Sequence, residues 1–314
     1  QTTELSVIIP VYNSADIFPE LYQRLKVVLD ELVTRSEIVA VVDGCADRSF
    51  DVISNFSVRD PRVKVIDLSR NFGHQAAVSA GLTYASGNLV AIMDDDLEDP
   101  PEQLKALKTK LDEGYDVVYG IRKNRRRSYI HRLLFAAFYR VFGWLADIRI
   151  PNDVGDFCLM RRVVVDALNR LPESNRYLRG LRAWVGFRQT GIPYDRASRF
   201  ANKSGYSFRK YFALASDAIF AFSYKPLRIM SSFGLILAVV SLVWGAKMIL
   251  TRFINPSAPS VPGWLSLWVS IFFFSGVQLL CMGILGQYLL RIYDEVKQRP
   301  EFIVRRSVGF DEPK

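Results

Sequence analysis

The chain has 314 residues, and its 41 Lys and Arg outnumber its 32 Asp and Glu, so the formal net charge is +9. Half of the residues are hydrophobic, which excludes an intrinsically disordered chain. The 19 Gly and 14 Pro follow no short period, which excludes a collagen-like chain. The three cysteines are scattered and form no CxxC pair, so we expect a reducing compartment, without disulfides or a zinc motif.

Short β-branched runs alternate with helix-like stretches through the first part of the chain. The predicted strands are Leu5–Val11, Glu37–Asp43, Val63–Leu68, Asn88–Asp94 and Asp116–Tyr119. The predicted helices are Asp16–Leu32, Ser49–Arg59, His74–Ala85 and Pro101–Glu113. This alternation is typical of an α/β fold with a mostly parallel sheet, which binds ligands beyond the carboxyl ends of its strands.

Polar and acidic residues stand at those strand ends. They are Pro10, Tyr12 and Asn13 at the end of the first strand, Asp43 at the end of the second, and Asp94, Asp95 and Asp96 at the end of the fourth. No GxGxxG or GxxxxGK[ST] loop is present, so a bound nucleotide would need another way to neutralise its phosphates. A metal ion held by carboxylates is the simplest one.

The segment 93–102 reads MDDDLEDPPE and concentrates five carboxylates within six residues. Carboxylates packed at a strand end raise one another's pKa unless a cation lies among them. Mg²⁺ or Mn²⁺ suits such oxygen ligands and typically binds one or two side chains together with substrate phosphates. The alternative is a solvated acidic loop, and for Asp99 and Glu102 we predict that they cap the following helix.

Several motifs, in order along nearly the whole chain, resemble those of family 2 glycosyltransferases. They are PVYN at 10–13, Asp43-Gly44 followed by Asp47, RNFGHQAA at 70–77, DDDLEDPPE at 94–102, GDFCLM at 155–160 and LRGLRAWVGFRQT at 178–190. The chain looks most similar to polyprenyl-phosphate glycosyltransferases, such as dolichyl-phosphate mannose synthases and bactoprenol glucosyltransferases. This resemblance implies a GT-A fold, a sugar-nucleotide donor, Mg²⁺ or Mn²⁺ as cofactor, and a polyprenyl phosphate acceptor.

The resemblance also implies roles for single residues. The donor nucleotide would be bound by Pro10, Tyr12, Asn13, Asp43, Asp94 and Asp95. Asp96 would be the metal ligand of the DxD motif, with Glu98 near the metal. Asp156 matches the residue usually proposed as catalytic base, yet a phosphate acceptor is already ionised at neutral pH, so we expect Asp156 to orient the acceptor or a sugar hydroxyl. The alternative is a structural carboxylate paired with Arg161 or Arg162.

Three positions depart from the family pattern. Val42 and Cys45 replace the usual residues around Asp43-Gly44, and Gly205 replaces the usual Lys in RFANKSGY at 199–206. The expected phosphate-binding and acceptor-binding residues are Arg122, Arg126, Arg199, Lys203 and Lys210. His74 is expected to line the site or cap a helix, because no second His stands at metal-ligand spacing.

Two long apolar stretches lie near the C-terminus. Ser231–Leu250 contains a single charge, Lys247, and Leu265–Leu290 contains none. Each could cross a membrane as a helix of about 20 residues, and a pair of buried core helices is the alternative. Basic residues flank the two stretches on their outer sides, so we expect an integral protein of the inner or plasma membrane, with its catalytic domain and both termini in the cytoplasm.

The expected organisation follows from these stretches. It comprises a GT-A domain at 1–205, a juxtamembrane amphipathic helix at 206–228, two transmembrane helices at 229–290 and a basic cytoplasmic tail at 291–314. An interfacial helix at about 129–146 is predicted because a basic run leads into apolar residues at helical spacing, and an internal core helix is the alternative. Anionic lipids and the acceptor phosphate explain the net charge better than nucleic acid does.

These predictions combine into one reaction: inverting, metal-dependent transfer of glucose from UDP-glucose to undecaprenyl phosphate. GDP-mannose and a UDP-4-amino-arabinose derivative remain alternative donors. A membrane-anchored scaffold that binds sugar nucleotides at a degenerate site is an alternative of another class. A processive polysaccharide synthase is disfavoured because only two spans are predicted, and assembly into a homo-oligomer stays open.

Overall fold

The computed structural model describes residues 3–123, 154–173, 176–195, 225–254 and 263–310. The chain divides into two compact units. The first comprises Gln1–Phe135, Ile148–Tyr211 and Arg299–Lys314, and the second comprises Ala136–Asp147 and Phe212–Gln298. The predicted interfacial helix at 129–146 and most of the predicted juxtamembrane helix at 206–228 lie outside the described residues.

Alternating strands and helices build the first unit. In chain order they are β1 (Leu5–Val11), α1 (Phe18–Leu32), β2 (Ser36–Val42), α2 (Ser49–Arg59), β3 (Val63–Leu68), α3 (His74–Tyr84), β4 (Leu89–Ile92), α4 (Gln103–Asp112), β5 (Val117–Lys123), β6 (Val154–Arg161), α5 (Arg162–Asn169), α6 (Leu178–Trp184), β7 (Gln189–Asp195) and β8 (Val304–Val308). The predicted strands and helices of the first part of the chain all form, with ends that differ by a few residues.

One eight-stranded sheet contains all the strands of the described residues, in the order β7-β5-β6-β4-β1-β2-β3-β8. The strands β4, β1, β2 and β3 run parallel to one another, as do β5 and β7. Among these eight strands, β6 and β8 pair antiparallel with their neighbours. The predicted α/β fold with a mostly parallel sheet is therefore confirmed.

The central strands are buried along their whole length, which explains their continuous apolar sequences. All positions of β1 and β2 are buried, as expected for parallel strands covered on both faces. Helix α1 covers one face with apolar residues at helical spacing, such as Phe18, Leu21, Leu25 and Leu29. Helix α3 lies so close to β1 that a Cβ on Gly81 would overlap the side chain of Ile8.

The second unit contains two long helices, α7 (Lys225–Ile254) and α8 (Trp264–Lys297). Within α8, Phe273–Lys297 is long and apolar enough to cross a membrane, with a mean hydropathy of 1.5. Apolar side chains of this stretch, including Phe273 and Leu279, are exposed in the isolated chain. In the described part of α7 the apolar stretch is shorter, Leu227–Leu237. Among the described residues there is therefore one candidate membrane span, whereas the sequence predicts two.

The segment predicted to be a basic tail at 291–314 has a different structure. Its first residues, to Lys297, continue α8, and Val304–Val308 form β8 against β3 at the edge of the sheet. Phe302, Val304 and Phe310 pack against a buried apolar cluster of the first unit, and that burial stabilises the strand.

Candidate active site

The loops after β1, β2 and β4 are hydrogen-bonded to one another at the carboxyl edge of the sheet. The backbone N of Tyr12 donates to Asp95 Oδ2 at 3.1 Å. Asn13 adopts a left-handed conformation (φ 53°), and its Oδ1 accepts from the backbone N of Ala46 at 3.0 Å. The Tyr12 side chain stays 55% exposed, so its ring is accessible for stacking on a ligand base. The structure thus brings the residues predicted from three strand ends to one place.

Asp43 is buried and shapes the loop between β3 and α3. Its two carboxylate oxygens accept hydrogen bonds from the backbone N atoms of Phe72 (2.7 Å) and Gly73 (2.9 Å). The next residue, Gly44, has φ +58°, and a Cβ there would overlap the backbone of Asn71. This close approach requires glycine. Asp43 is predicted to bind the nucleotide. In the structure its carboxylate fixes the backbone of the loop between β3 and α3.

Within the acidic segment, Asp94 lies in a poorly compensated environment. Burial raises the pKa of Asp94 to about 6; the charge of His74 opposes that rise, and the neighbouring carboxylates add to it. Asp94 Oδ1 is buried and accepts no hydrogen bond from the described residues, with His74 Nε2 at 3.7 Å as its ion-pair partner. Asp96 Oδ1 accepts from the backbone N of Glu98 (3.0 Å), and the Glu98 side chain is buried.

A divalent cation fits this environment. Among the described residues, no three His, Cys, Asp or Glu side chains form a ready-made metal cage. However, Asp94 Oδ1 is buried without a hydrogen-bond donor, and the pKa of Asp94 is raised. A positive charge bound beside this carboxylate would compensate for both features. Mg²⁺ and Mn²⁺ sites of one or two carboxylates are commonly completed by substrate phosphates. The predicted ligands Asp96 and Glu98 lie in the same turn, so they fit such a site.

Asp156, on β6, has the opposite environment. Arg179 donates two hydrogen bonds to it, from Nε to Oδ1 (2.7 Å) and from Nη2 to Oδ2 (2.9 Å). His74 Nε2 lies 3.1 Å from Oδ2. Burial raises the pKa of Asp156, but the hydrogen bonds from His74 and Arg179 outweigh it and hold the pKa far below the ordinary value. Asp156 is therefore an ionised, fully engaged carboxylate at neutral pH.

The alternative prediction, that Asp156 pairs with Arg161 or Arg162, was wrong. Arg161 donates to the backbone carbonyls of Tyr115 and Leu111, and Arg162 donates to that of Gly87. Both arginines follow the buried part of β6 and point to loops at the amino edge of the sheet. Arg179, which lies in the motif LRGLRAWVGFRQT and had no predicted role, binds Asp156 instead.

His74 connects the two carboxylate environments. Its Nε2 lies 3.1 Å from Asp156 and 3.7 Å from Asp94. Burial lowers the pKa of His74, but the hydrogen bond with Asp156 and the charge of Asp94 raise it above its ordinary value overall. The prediction that His74 lines the site is consistent with these contacts, and its position as the first residue of α3 explains its place at the strand ends.

Asp99 is fully buried and accepts a hydrogen bond from the Tyr194 hydroxyl. Its Oδ2 lies 3.6 Å from Nη2 of Arg122. The Arg122 guanidinium also lies against Gly155, where a Cβ would come within 2.9 Å of Nη2. Arg122 thus lies beside Gly155, the residue that precedes Asp156 in the sequence. The other predicted phosphate-binding residues, Arg126, Arg199, Lys203 and Lys210, lie outside the described residues.

The helix-capping prediction for Asp99 and Glu102 was wrong. Helix α4 begins at Gln103 with Glu102 as the N-cap residue, and no side chain caps it. Glu102 accepts two hydrogen bonds from Arg24 instead, at 3.0 and 2.7 Å. Asp99 contacts Arg122 on β5 and Tyr194 on β7, and both strands are distant from Asp99 in the sequence. Local capping patterns therefore could not predict these contacts.

A mostly parallel sheet with acidic loops at the carboxyl ends of β1, β2 and β4 defines a GT-A-like enzyme. Residues 6–168 match the family model described as "Glycosyl transferase family 2", and the chain belongs to that family. It is a glycosyltransferase, as the sequence motifs indicated.

Relatives share nearly the whole chain. A Bacillus subtilis glycosyltransferase, YkcC, is 42% identical over 98% of this chain and 95% of its own. The SfII prophage-derived bactoprenol glucosyl transferase of Shigella flexneri is 37% identical over 97% of this chain and 98% of its own. Among solved structures, a mannosyltransferase from Pyrobaculum calidifontis in complex with GDP-mannose and Mn²⁺ has a similar fold, with a TM-score of 0.52, 15% identity, and coverage of 94% and 88% of the two chains.

Proposed function

We propose that the protein transfers glucose from UDP-glucose to undecaprenyl phosphate at the cytoplasmic face of a membrane, with inversion at the anomeric carbon and with Mg²⁺ or Mn²⁺ bound. The observation that carries this proposal is the similarity to bactoprenol glucosyl transferases over nearly the entire chain, including the apolar C-terminal helices. The coarser activity, glycosyl transfer, is a property of the family.

The donor side of the site is the edge formed by Tyr12, Asp94 and Asp96. Tyr12 offers an exposed ring for the uracil base, and its backbone is fixed through Asp95. Asp96 and Glu98 are the proposed metal ligands, and Asp94 lies beside them. When bound, the divalent cation supplies positive charge that stabilises the departing diphosphate. Arg122, held between Asp99 and Gly155, is proposed to add a second positive charge there.

The acceptor side centres on Asp156. In the proposed step, an oxygen of the lipid phosphate attacks the anomeric carbon while the bond from that carbon to the UDP oxygen breaks, and UDP leaves with the electron pair. A phosphate monoester has a second pKa of about 6, so the nucleophile needs no general base at neutral pH. Because Arg179 and His74 keep Asp156 ionised and engaged, we assign it to orienting the acceptor or a sugar hydroxyl.

The membrane location rests on the C-terminal helices. Phe273–Lys297 in α8 is one candidate span by length and composition. We propose that α7 supplies a second span, because the uninterrupted helix Lys225–Ile254 contains the apolar stretch Ser231–Leu250. Two spans would return the chain to the side on which it started, which keeps the catalytic unit and both termini in the cytoplasm.

The deciding experiment measures transfer of radiolabelled glucose from UDP-glucose to undecaprenyl phosphate by the purified full-length protein, with Mn²⁺, with Mg²⁺ and with EDTA. We expect a metal-dependent product that partitions into chloroform. Product from GDP-mannose or UDP-4-amino-arabinose but not from UDP-glucose would correct the donor. Nucleotide binding without transfer from any donor would overturn the enzymatic proposal and support the scaffold alternative.

A further inference from the structure

The C-terminal residues Glu301–Phe310, which we call the C-terminal strap, belong to the same compact unit as the candidate active site. Strand β8 within the strap pairs antiparallel with β3. The strap also contacts two other segments, and these two segments carry His74 and Arg179, the residues that hold Asp156.

The first of these segments is the loop that leads from β3 to His74. The backbone N of Ser69, where this loop begins, donates to the carbonyl of Ile303 at 2.8 Å. Arg305 Nη2 donates back to the carbonyl of Ser69 at 2.6 Å. Next to them, Arg306 Nε donates to Asp67 Oδ2 at 2.8 Å, and Asp67 is buried. Both the backbone N–H and the backbone carbonyl of Ser69 are therefore hydrogen-bonded to the strap.

The second segment leads into α6. Glu301 Oε1 lies 2.9 Å from Nε of Arg176, and both side chains are largely buried, with 17% and 11% of their areas exposed. Arg176 Nη2 also donates to the carbonyl of Leu171 at 2.7 Å. Arg176 stands three residues before Arg179, so the ion pair fixes the backbone from which Arg179 extends.

Apolar contacts keep the strap in place. Phe302, Val304 and Phe310 pack against the buried cluster that includes Ala77 and Ala80 of α3. The ring of Phe310 also lies edge-on to Tyr84 at the end of α3, with 5.2 Å between the centroids. Partly buried aromatic residues that pack on a buried cluster stabilise the strap as part of this unit.

We propose that the C-terminal strap positions His74 and Arg179 around Asp156, with Glu301 and Arg176 as the positioning residues on the α6 side. The geometry is sensitive because Arg179 binds Asp156 through two parallel hydrogen bonds, and misplacement by about 1 Å can cost up to about 100-fold in rate. Removing the Glu301 charge leaves the largely buried guanidinium of Arg176 without its carboxylate, which favours a shift of that backbone. The activity readout of this proposal rests on the proposed sugar transfer.

The test compares Glu301→Gln with Asp60→Asn in the full-length protein. Asp60 is a suitable control because it pairs with Arg62 at 2.8 Å, is similarly buried, and lies at the opposite edge of the sheet, before β3. We expect Glu301→Gln to lower kcat about tenfold while the KM for UDP-glucose changes less than about twofold, and Asp60→Asn to leave both constants within about twofold. The double reversal Arg176→Glu with Glu301→Arg is expected to recover part of the lost kcat.

Hydrogen exchange followed by mass spectrometry tests the same proposal without turnover. In Glu301→Gln, amides of residues 69–77 and 176–182 are expected to exchange faster while those of β2 keep their rates. Unchanged exchange in both segments, or a uniform increase across the sheet, would overturn the positioning role, as would a wild-type kcat. If the wild-type protein uses no tested donor, the proposed function fails, and the exchange pattern still decides the role of the strap.

Discussion

Asp94 and Asp156 both lie near Nε2 of His74, yet their environments are opposite. Asp94 has a buried oxygen that accepts no hydrogen bond from the described residues, and burial raises its pKa to about 6. Asp156 is bound by Arg179 and lies 3.1 Å from His74, and its pKa is held far below the ordinary range. His74 is 0.6 Å closer to Asp156 than to Asp94, since its two distances are 3.1 and 3.7 Å.

This difference separates two kinds of carboxylate chemistry in one site. A carboxylate with a buried oxygen that accepts no hydrogen bond gains most from a cation that arrives with the substrate. A carboxylate saturated with charged donors is a poor proton acceptor but a well-fixed positioning group. In the proposed function, the side of Asp94 binds the metal and the diphosphate, and Asp156 positions the reacting groups. Four experiments test this contrast.

The largest effect is expected on the metal side. Asp96→Ala should lower transfer from UDP-glucose by about 1000-fold or more, because the charge stabilisation of the leaving diphosphate depends on the metal. Radiolabel transfer measured across a Mn²⁺ titration checks this. Asp112→Ala, which removes an exposed carboxylate paired with Lys108, is the matched control and should retain normal activity. Equal activity of the two variants would contradict the assignment of Asp96.

Arg179→Lys should lower kcat by about 100-fold and the free energy of unfolding by about 2 kcal/mol, because one ammonium cannot replace the paired hydrogen bonds to a buried carboxylate. The expected loss in kcat exceeds the change in KM for UDP-glucose. Steady-state kinetics and urea unfolding measure the two effects. Arg188→Lys is the control, since Arg188 contacts the exposed loop at Gly114. Wild-type stability of Arg179→Lys would refute the strong pairing.

Asp156→Asn tests the positioning role directly. A positioning group should leave activity clearly above background, with a loss of about 10–100-fold and an unchanged pH profile above neutrality. Asp166→Asn, on the exposed face of α5, controls for the loss of one carboxylate. A rate of Asp156→Asn indistinguishable from that of membranes without the protein would mean that Asp156 does act as the base.

The smallest effect concerns pH and the metal-free protein. Because the pKa of folded Asp94 is raised to about 6, the folded state binds more protons than the unfolded state between about pH 4 and 6. This contribution favours folding at low pH and is lost as the pH rises through about 6. With EDTA, the free energy of unfolding of the wild type should therefore fall by about 1.4 kcal/mol between pH 5 and 7.5 relative to that of Asp94→Asn. Thermal unfolding of both proteins at the two pH values measures it, and parallel curves would contradict it.

Much of the fold was predictable from the sequence because the strands of a parallel sheet are continuous apolar runs. β1, β3 and α2 begin and end where the sequence pattern predicts. β8 was not predicted because its sequence, VRRSV, is short and contains two arginines among its five residues. Its stability comes from Phe302 and Phe310 outside the strand, which pack on α3, a contact that no local pattern reveals.

The candidate site was predictable in its parts but not in its pairings. The strand-end rule and the family motifs identified Asp94, Asp96 and Asp156 as a group. They did not identify the basic side chain that binds Asp156. Arg179 is 23 residues away in the sequence, and only the tertiary structure brings it to Asp156. Burial raises the pKa of both Asp94 and Asp156, and only the hydrogen bonds of Asp156 with Arg179 and His74 reverse that rise. These contacts are likewise set by the tertiary structure, so the two aspartates end in opposite environments.

The pairing of β8 with β3 has a consequence for biosynthesis. Arg306 and Asp67 are separated by 239 positions, so the ribosome has made both apolar helices before it makes the strand that completes the catalytic sheet. Until then β3 presents an unpaired edge, which is prone to pairing with other chains. A nascent catalytic unit can therefore finish folding only after α7 and α8 have emerged, and a chain that stops before residue 304 would carry an open sheet edge into the cell.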